Sequence, residues 1–238
     1  SWSNEIGFDV VGPYGDTLIS VASGTTYTNG HNFGSFLGYC SSCALVTSLP
    51  YSESFDGTSW SPSTTFDACW TPNPNSGGFR WNVSTGGTGS SGTGPSAASN
   101  GSNYLYLETS SGTAGASATV TGPNMTSGYS SLSISFDYHM YGATMGNLYL
   151  ESNDGTGWVT FDSIVGQQQT SNAAAWLTGS SLLTTPAGVF SIRFRGTRGA
   201  SYTGDMAIDN IVIASGAVCP TPNSLTASNI GMTSFDLA

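Results

Sequence analysis

Apolar and polar side chains alternate through the middle of the chain with the period of a strand. Leu132, Ile134, Phe136 and Tyr138 are separated by Ser133, Ser135 and Asp137. This two-residue repeat sets one face against a core and leaves the other wet. Gly142 and Gly146 bracket a turn, and a second alternation begins at Leu148. The segments from Phe190 to Gly199 and from Gly204 to Ile213 repeat the pattern, each closed by glycines. Further strands are predicted over Asn103 to Glu108, Ala116 to Val120 and Trp158 to Ile164. Near the start, Ser1 to Val11 alternates, Pro13 to Thr17 makes a turn, and Leu18 to Ala22 returns as the partner strand. The segment from Gln167 to Ala175 alone has helical tendency, which predicts a loop with one turn of helix. Ser84 to Asn103 is almost all Ser, Gly, Thr, Ala and Asn. Its Gly87-to-Gly92 match to Gly-x-Gly-x-x-Gly lacks the strand and helix that a phosphate cradle needs.

Charge and composition narrow the function. The chain of 238 residues has 14 acidic residues against 4 basic ones, all four arginine, for a net charge of −10. Nucleic acid is excluded as a partner because no basic surface exists to neutralise phosphates. An anionic membrane surface is disfavoured for the same reason. Aromatic residues make up 12% of the chain, which separates it from disordered acidic sequences. No apolar run is long enough to span a bilayer, so membrane insertion is not expected. No signal-peptide pattern opens the chain, and a leader is expected outside it. Together these features predict a folded all-β protein with Ser/Thr/Gly loops.

The cysteines are Cys40, Cys43, Cys69 and Cys219. Cys40-Ser-Ser-Cys43 could be a redox dithiol or half of a zinc site. A redox motif needs a βαβ context, which is missing. A second Cys-x-x-Cys is also missing, and His31 and His139 lack finger spacing. The cysteines therefore read as an extracellular disulfide framework, whose three possible pairings the sequence does not choose between.

Catalytic motifs are sparse. His139 sits in a strand pattern and His31 in a loop, and neither Gly-x-Ser-x-Gly nor His-Glu-x-x-His occurs. Glu108 and Glu151 end adjacent strand patterns and Asp137 lies within one, which makes them candidates for a carboxylate pair. The Glu-x-Asp-x-x-Glu pattern of laminarinase-type jelly rolls is absent. No active site and no cofactor are expected.

Four pieces occur in a telling order: Phe136-Asp-Tyr-His-Met-Tyr-Gly142, Met145-Gly-Asn-Leu148, Arg193-Phe-Arg-Gly-Thr-Arg-Gly199 and Gly204-Asp-Met-Ala-Ile-Asp-Asn-Ile211. Together they resemble the MAM domain, an extracellular adhesion module. The resemblance covers roughly Ser48 to Ala217. It implies a jelly-roll β-sandwich that binds rather than catalyses. Pro50 to Gly57 resembles the opening strand, with Asp56 where Glu is more usual. Trp81 fits an early core tryptophan, and Trp176 the tryptophan before a strand. The family disulfide, carried over, implies Cys43 or Cys40 with Cys69, leaving Cys219 for the other partner. Related jelly rolls lay the opening strand beside the closing one. That would bring Glu53 or Asp56 close to Asp209, with Asp67 and Asp205 as further candidates, and implies a structural Ca2+. The alternative gives Asp209 the backbone amides of a loop.

The ends resemble pieces of other modules. Trp2-Ser-Asn-Glu-Ile6 is similar to the closing strands of a small β-module of secreted Bacteroidetes proteins. Leu225 to Ala238 is similar to the first strands of a fibronectin type III domain, entered through the Pro-rich stretch after Cys219. The expected division is a partial module over 1–39, a linker over 40–47, the jelly roll over 48–217, and a linker with fibronectin strands over 218–238. Asp16-Thr17-Leu18 and Asp162-Ser163-Ile164 resemble a Bacteroidetes O-glycosylation pattern, marking Thr17 and Ser163. The reading is a non-catalytic adhesion module of a secreted or cell-surface bacterial protein. Its expected partners are extracellular protein or glycan, and type IX secretion components as cargo. The competing reading is an ancillary module of a secreted hydrolase that binds glycan through outward aromatics. Tyr104, Tyr106, Tyr138, Tyr141 and Tyr149 are the candidates, although alternation sends some of them inward.

Overall fold

The computed structural model describes residues 8–11, 17–21, 43–62, 66–73 and 78–216. Its contacts divide the chain into two units, 1–40 and 41–238. In the first, β1 (Phe8–Val11) pairs antiparallel with β2 (Thr17–Val21), with Phe8 opposite Val21. Cys40, Cys219, His31, the side chain of Thr17 and the fibronectin-like strands lie outside the described residues.

The second unit is a sandwich of two antiparallel sheets. Its strands are β3 (Tyr51–Glu53), β4 (Thr71–Asn73), β5 (Trp81–Thr85), β6 (Asn103–Leu107), β7 (Ser117–Met125) and β8 (Ser131–Met140). The remaining strands are β9 (Asn147–Asn153), β10 (Val159–Val165), β11 (Leu177–Thr184), β12 (Phe190–Thr197) and β13 (Met206–Ser215). The front sheet runs β10-β9-β12-β7-β4. The back sheet runs β11-β8-β13-β6-β5, with β3 also paired to β13. Few neighbours in space are neighbours in sequence, as a jelly roll requires.

Alternation decides what lies between the sheets. The back sheet contributes Leu132, Ile134 and Phe136 from β8 and Met206, Ile208, Ile211 and Ile213 from β13, all buried. The front sheet answers with Leu148, Leu150, Ile192, Phe194 and Val120. Phe136 and Phe194 meet edge to face across the core at 5.1 Å. Each such side chain adds about 2 kcal/mol by leaving water. Trp81 is wholly buried and donates its indole N–H to the Ala118 carbonyl at 3.1 Å. Gly196 makes room here, since a Cβ at that position would collide with Leu107 and Met206.

An aromatic corner closes one end. Phe55 packs against Trp60 and Trp70 at 4.9 and 5.5 Å. The Trp70 indole donates to the Tyr51 hydroxyl at 3.1 Å. Beside it a disulfide joins Cys43 to Cys69 across 26 positions, with Cα atoms 4.7 Å apart. Of the two partners the resemblance allows Cys69, the structure takes Cys43.

β13 changes partner midway. Met206–Ile208 pair with β6 and Ile211–Ile213 with β3, while β8 runs along the other side. At the junction the register slips between Asp209 and Val212. Asn210 takes a φ of 51° there, a conformation asparagine tolerates better than most residues.

The expected helical turn near Gln167 is not formed. Gln169 instead extends the ladder of β8. Met140 N–H donates to Gln169 Oε1, Gln169 Nε2 donates to the Tyr138 carbonyl, and the Gln168 and Gln169 amides donate to Met140 O. These bonds hold the segment extended, and only a turn between Ser171 and Ala174 follows.

Candidate functional site

The two outer faces of the sandwich differ. Over the back sheet, residues 86–102 form a roof, which the strand beneath holds by its carboxylates. Asp209 Oδ2 accepts the Ser99 and Asn100 amides at 2.9 and 3.1 Å, and its Oδ1 accepts Asn210 N–H at 2.7 Å. Asp137 Oδ2 accepts the Ser99 hydroxyl at 2.7 Å. The Tyr104 hydroxyl donates to the Gly86 carbonyl at 2.6 Å, and the Trp176 indole to Ala97 O at 3.0 Å. Beneath this cover Tyr104, His139, Asp205 and Asp209 have no exposed surface.

Burial sets the titration of these groups. It raises Asp209 to about 7 against the hydrogen bonds from Asn100, Asn210 and Ser99. It raises Asp205 to about 6, although Thr109 donates to that carboxyl. Burial also pushes His139 below its ordinary value. Neither ring nitrogen of His139 has a hydrogen bond of good geometry among the described residues, although the backbone of Ala174 and Ser171 lies close enough to oppose the effect of burial, and Trp176 lies against the ring at 5.7 Å. A histidine sealed in this way is not placed to serve as a base.

No described segment roofs the front sheet. Strand register places Arg193 opposite Glu151 and Arg195 opposite Tyr149, all facing outward. Arg193 Nε donates to Glu151 Oε2 at 2.7 Å, and Arg195 Nε to Glu151 Oε1 at 2.8 Å. The Thr160 hydroxyl adds a third bond to Glu151 at 3.0 Å. Each guanidinium also stacks on a ring, Arg193 on Trp158 and Arg195 on Tyr149, both with Cζ 4.0 Å from the centroid. The result is a fixed ladder in the order Trp158, Arg193, Glu151, Arg195, Tyr149. The arginine side chains keep 18% and 24% exposure while Glu151 keeps 5%, so the glutamate is the hidden rung. Burial works against its ionisation, but the bonds from Arg195, Arg193 and Thr160 outweigh burial and hold it below the usual carboxylate range.

The ladder is set among small polar side chains. Outward positions on β7, β9 and β12 include Thr119, Thr121, Asn153, Ser191 and Thr197. Asp162 on β10 pairs with Leu150, turns toward the core edge and bonds Ser181 of β11. Ser163, its neighbour, is exposed opposite Tyr149. That glycosylation candidate therefore sits on the open face.

The structure redistributes the tyrosine candidates. Tyr104 is buried under the roof, and Tyr106 lies partly covered on the same sheet with its hydroxyl on Glu108. Tyr138 packs beside Phe136 at 6.0 Å on the core side of β8, and Tyr141 is half-buried past the strand's end. Tyr149 lies on the open front face. Trp158, Arg193 and Arg195 were not singled out from sequence. The available signal was Arg193-Phe-Arg195, two cations on one face of a strand. Glu108 and Glu151, weighed as a pair, belong to opposite sheets.

The calcium candidates are each engaged otherwise. Glu53 lies opposite Ile211 and accepts the Phe55 amide at 2.7 Å. Asp56 Oδ1 accepts the Ser102 and Asn103 amides at 2.7 and 2.9 Å. Gly101, at φ 63°, leaves no space for a side chain against Asp56. Asp67 accepts the Cys69 amide and Asp205 the Thr109 amide, each at 2.9 Å. Among the described residues no three His, Cys, Asp or Glu side chains converge on a cation position. As placed, these carboxylates bind amides and do not fit a calcium cage. Asp209 takes the alternative role, holding a loop.

Comparison with known proteins places the chain. A family model described as MAM domain, meprin/A5/mu, matches residues 63–220. The MAM domain-containing glycosylphosphatidylinositol anchor protein 1 of Rattus norvegicus and that of Mus musculus are each 32% identical over 121 residues. That alignment covers 49% of this chain and 12% of each relative, so the chain spans about an eighth of their length. Among solved structures, the K1 cleaved adhesin domain of Lys-gingipain from Porphyromonas gingivalis W83 is similar with a TM-score of 0.49 and 14% identity, over 71% of this chain and 100% of that one. The CBM22-1 xylan-binding domain of Paenibacillus barcinonensis Xyn10C is similar with a TM-score of 0.42 and 15% identity, over 73% and 100%. No helix among the described residues is long and apolar enough to cross a membrane. With the family model matched over well more than half its length, on a two-sheet sandwich, the chain belongs to the MAM domain family.

Proposed function

We propose that this chain is a non-catalytic adhesion or interaction module that works outside the cell and holds an extracellular glycan or protein on its front sheet. The observation that carries this reading is the unroofed ladder from Trp158 to Tyr149, held rigid by ion pairs and stacking. Such a surface binds with little ordering cost. Membership of the MAM family supports an adhesive role, and the disulfide supports an oxidising compartment. The relatives named for a glycosylphosphatidylinositol anchor favour a cell-surface setting. The finer reading is a bacterial adhesin exported by the type IX route. It rests on the sequence resemblance of the two ends.

A second reading is favoured by the aromatic rungs Trp158 and Tyr149. In it the module is ancillary to a secreted protease or polysaccharide hydrolase and carries glycan for it. A single experiment separates binding from catalysis. The immobilised chain is offered glycans and extracellular proteins while released products are followed by mass spectrometry. Retention without cleavage, lost in Trp158→Ala and Tyr149→Ala, is the expected result. Turnover of any substrate, or retention indifferent to both substitutions, overturns the proposal.

A further inference from the structure

We infer that the paired guanidinium groups of Arg193 and Arg195 receive the carboxylate of a uronic-acid-containing glycan. The inference rests on the front sheet being the binding face and names what that face selects.

Charge is the first argument. The chain has a net charge of −10 and only four basic residues. Two of them stand two residues apart on one face of β12, with Glu151 as the acid between them. Asp154, the nearest other acid in sequence, is held within its own turn by the amide and hydroxyl of Thr156, and Asp162 turns away to Ser181. The ladder itself therefore carries two positive charges against one negative in a strongly acidic molecule. An arginine pair that served only to bury Glu151 would need one cation, and here there are two.

Donor geometry is the second. Both arginines spend Nε on Glu151, and neither has an Nη atom bonded among the described residues. Glu151 and the two rings fix the guanidinium planes, so their outer edges are held ready. A planar carboxylate matches such an edge with two parallel N–H···O bonds, a fit that a lysine pair could not supply. Preorganisation means that little side-chain entropy is lost on binding.

The surroundings select a sugar over an acidic peptide. Trp158 and Tyr149 flank the cationic pair and offer ring surface to a pyranose. Thr121 supplies a short hydroxyl beside it and Asn153 its amide nitrogen, while the Asn153 oxygen and the Ser191 hydroxyl are already bonded within the chain. These suit the hydroxyls of a saccharide.

The test is titration calorimetry with oligomers of galacturonate, mannuronate and glucuronate, each beside its methyl ester. Esterification keeps the ring and removes the charge. At least one acid form is expected to bind tenfold or more tighter than its ester. Arg195→Gln is expected to cost at least tenfold in that affinity. Thr121→Glu sits opposite Arg193 on the adjacent strand and should cost as much by supplying an internal carboxylate. The second variant removes nothing from the ladder, so it reports on binding even if Arg195→Gln unfolds. Equal binding of acid and ester overturns the inference and leaves a neutral-glycan module standing. Binding of a poly-glutamate peptide or a sulfated glycan without any uronate overturns it too. Retention of no ligand of any class overturns both readings.

Discussion

The two outer faces of this sandwich are made by the same alternating strands, yet they solve opposite problems. The back face carries Asp205, Asp209 and His139, groups that water would normally hydrate and that a Ser/Gly-rich roof seals in, with Asp137 half-buried at its edge. The front face carries two arginines, a glutamate and two rings, and leaves their outer edges open. On the back the polar groups are consumed in holding the fold together, so their cost in desolvation is offset by many loop hydrogen bonds. On the front they satisfy one another laterally and keep donors to spare. Polar residues on a sheet are evidence of a binding surface only when their bonds are not already spent on the chain itself.

The largest effect is expected where the roof is held. Asp209→Ala leaves the Ser99, Asn100 and Asn210 amides without their acceptor. The loss should be about 3 kcal/mol in denaturant unfolding, since several bonds to one buried acceptor vanish together. Hydrogen exchange of residues 86–102 should rise in the same variant. The pH response tests the same group. Asp209 is raised to about 7 from an ordinary value near 3.8, so its contribution to stability is complete below the ordinary value and is lost as pH rises through 7. Asp205, raised to about 6, has the same sign over a lower window. His139 is depressed below 6.5, so its contribution is present above that value and lost below it. The unfolded histidine is half protonated at pH 6.5 and loses that proton by pH 8, so its opposing contribution fades across this window and Asp209 sets the sign near 7. The melting temperature should therefore fall across that window and flatten in Asp209→Asn. A flat wild-type profile would show that the roof leaves this carboxyl hydrated.

A smaller effect is expected on the front. Glu151→Gln removes the charge that holds two guanidinium groups side by side. Removing one partner of a buried pair is costly, but both arginines keep some contact with water. The expected loss is about 1.5 kcal/mol, with exchange of the roof unchanged. Arg193→Gln should cost less, because Arg195 still pairs with the glutamate. Glu151 responds to pH in the opposite sense to Asp209. Its depressed value makes its contribution present above the ordinary carboxylate range and lost as pH falls below it. If Glu151→Gln destabilises more than Asp209→Ala, the open face holds the fold and the contrast between the faces collapses.

Much of this architecture was legible in the chain. Period-two alternation located β8, β9, β12 and β13 and identified Leu132, Ile134 and Phe136 as core, because a buried face leaves a repeating mark. The order of short motifs named the family. β4 and β5 carried no comparable mark, since Thr71–Asn73 is short and Trp81–Thr85 is buried on successive residues. The Gln167 segment misled because its helical tendency is weak, and bonding to the end of β8 overrode it. The site was less legible still. Aromatic candidates were found by type, but their face depended on which sheet each strand joined. The ladder spans β9, β12 and the turn before β10, so its members meet only through strand register.

The finest test uses two tyrosines, one on each face. The Tyr104 hydroxyl donates to the Gly86 carbonyl at 2.6 Å beneath the roof, in a residue with no exposed surface. Burial raises it to about 12, so it stays a donor at any working pH. Tyr104→Phe removes a hydrogen bond made by a wholly buried side chain and should cost about 1 kcal/mol. The Tyr149 hydroxyl accepts Asn147 Nδ2 at 3.1 Å on the open face, where water can replace it. Its ring, and so its stacking on Arg195, survives in phenylalanine. Tyr149→Phe should change stability by less than about 0.5 kcal/mol, as expected for a surface substitution. The pair isolates one hydroxyl from each side with the ring kept in both. If the two variants unfold at the same denaturant concentration, the roof is not sealing the hydroxyl of Tyr104. The back face would then have to be counted as a second open surface.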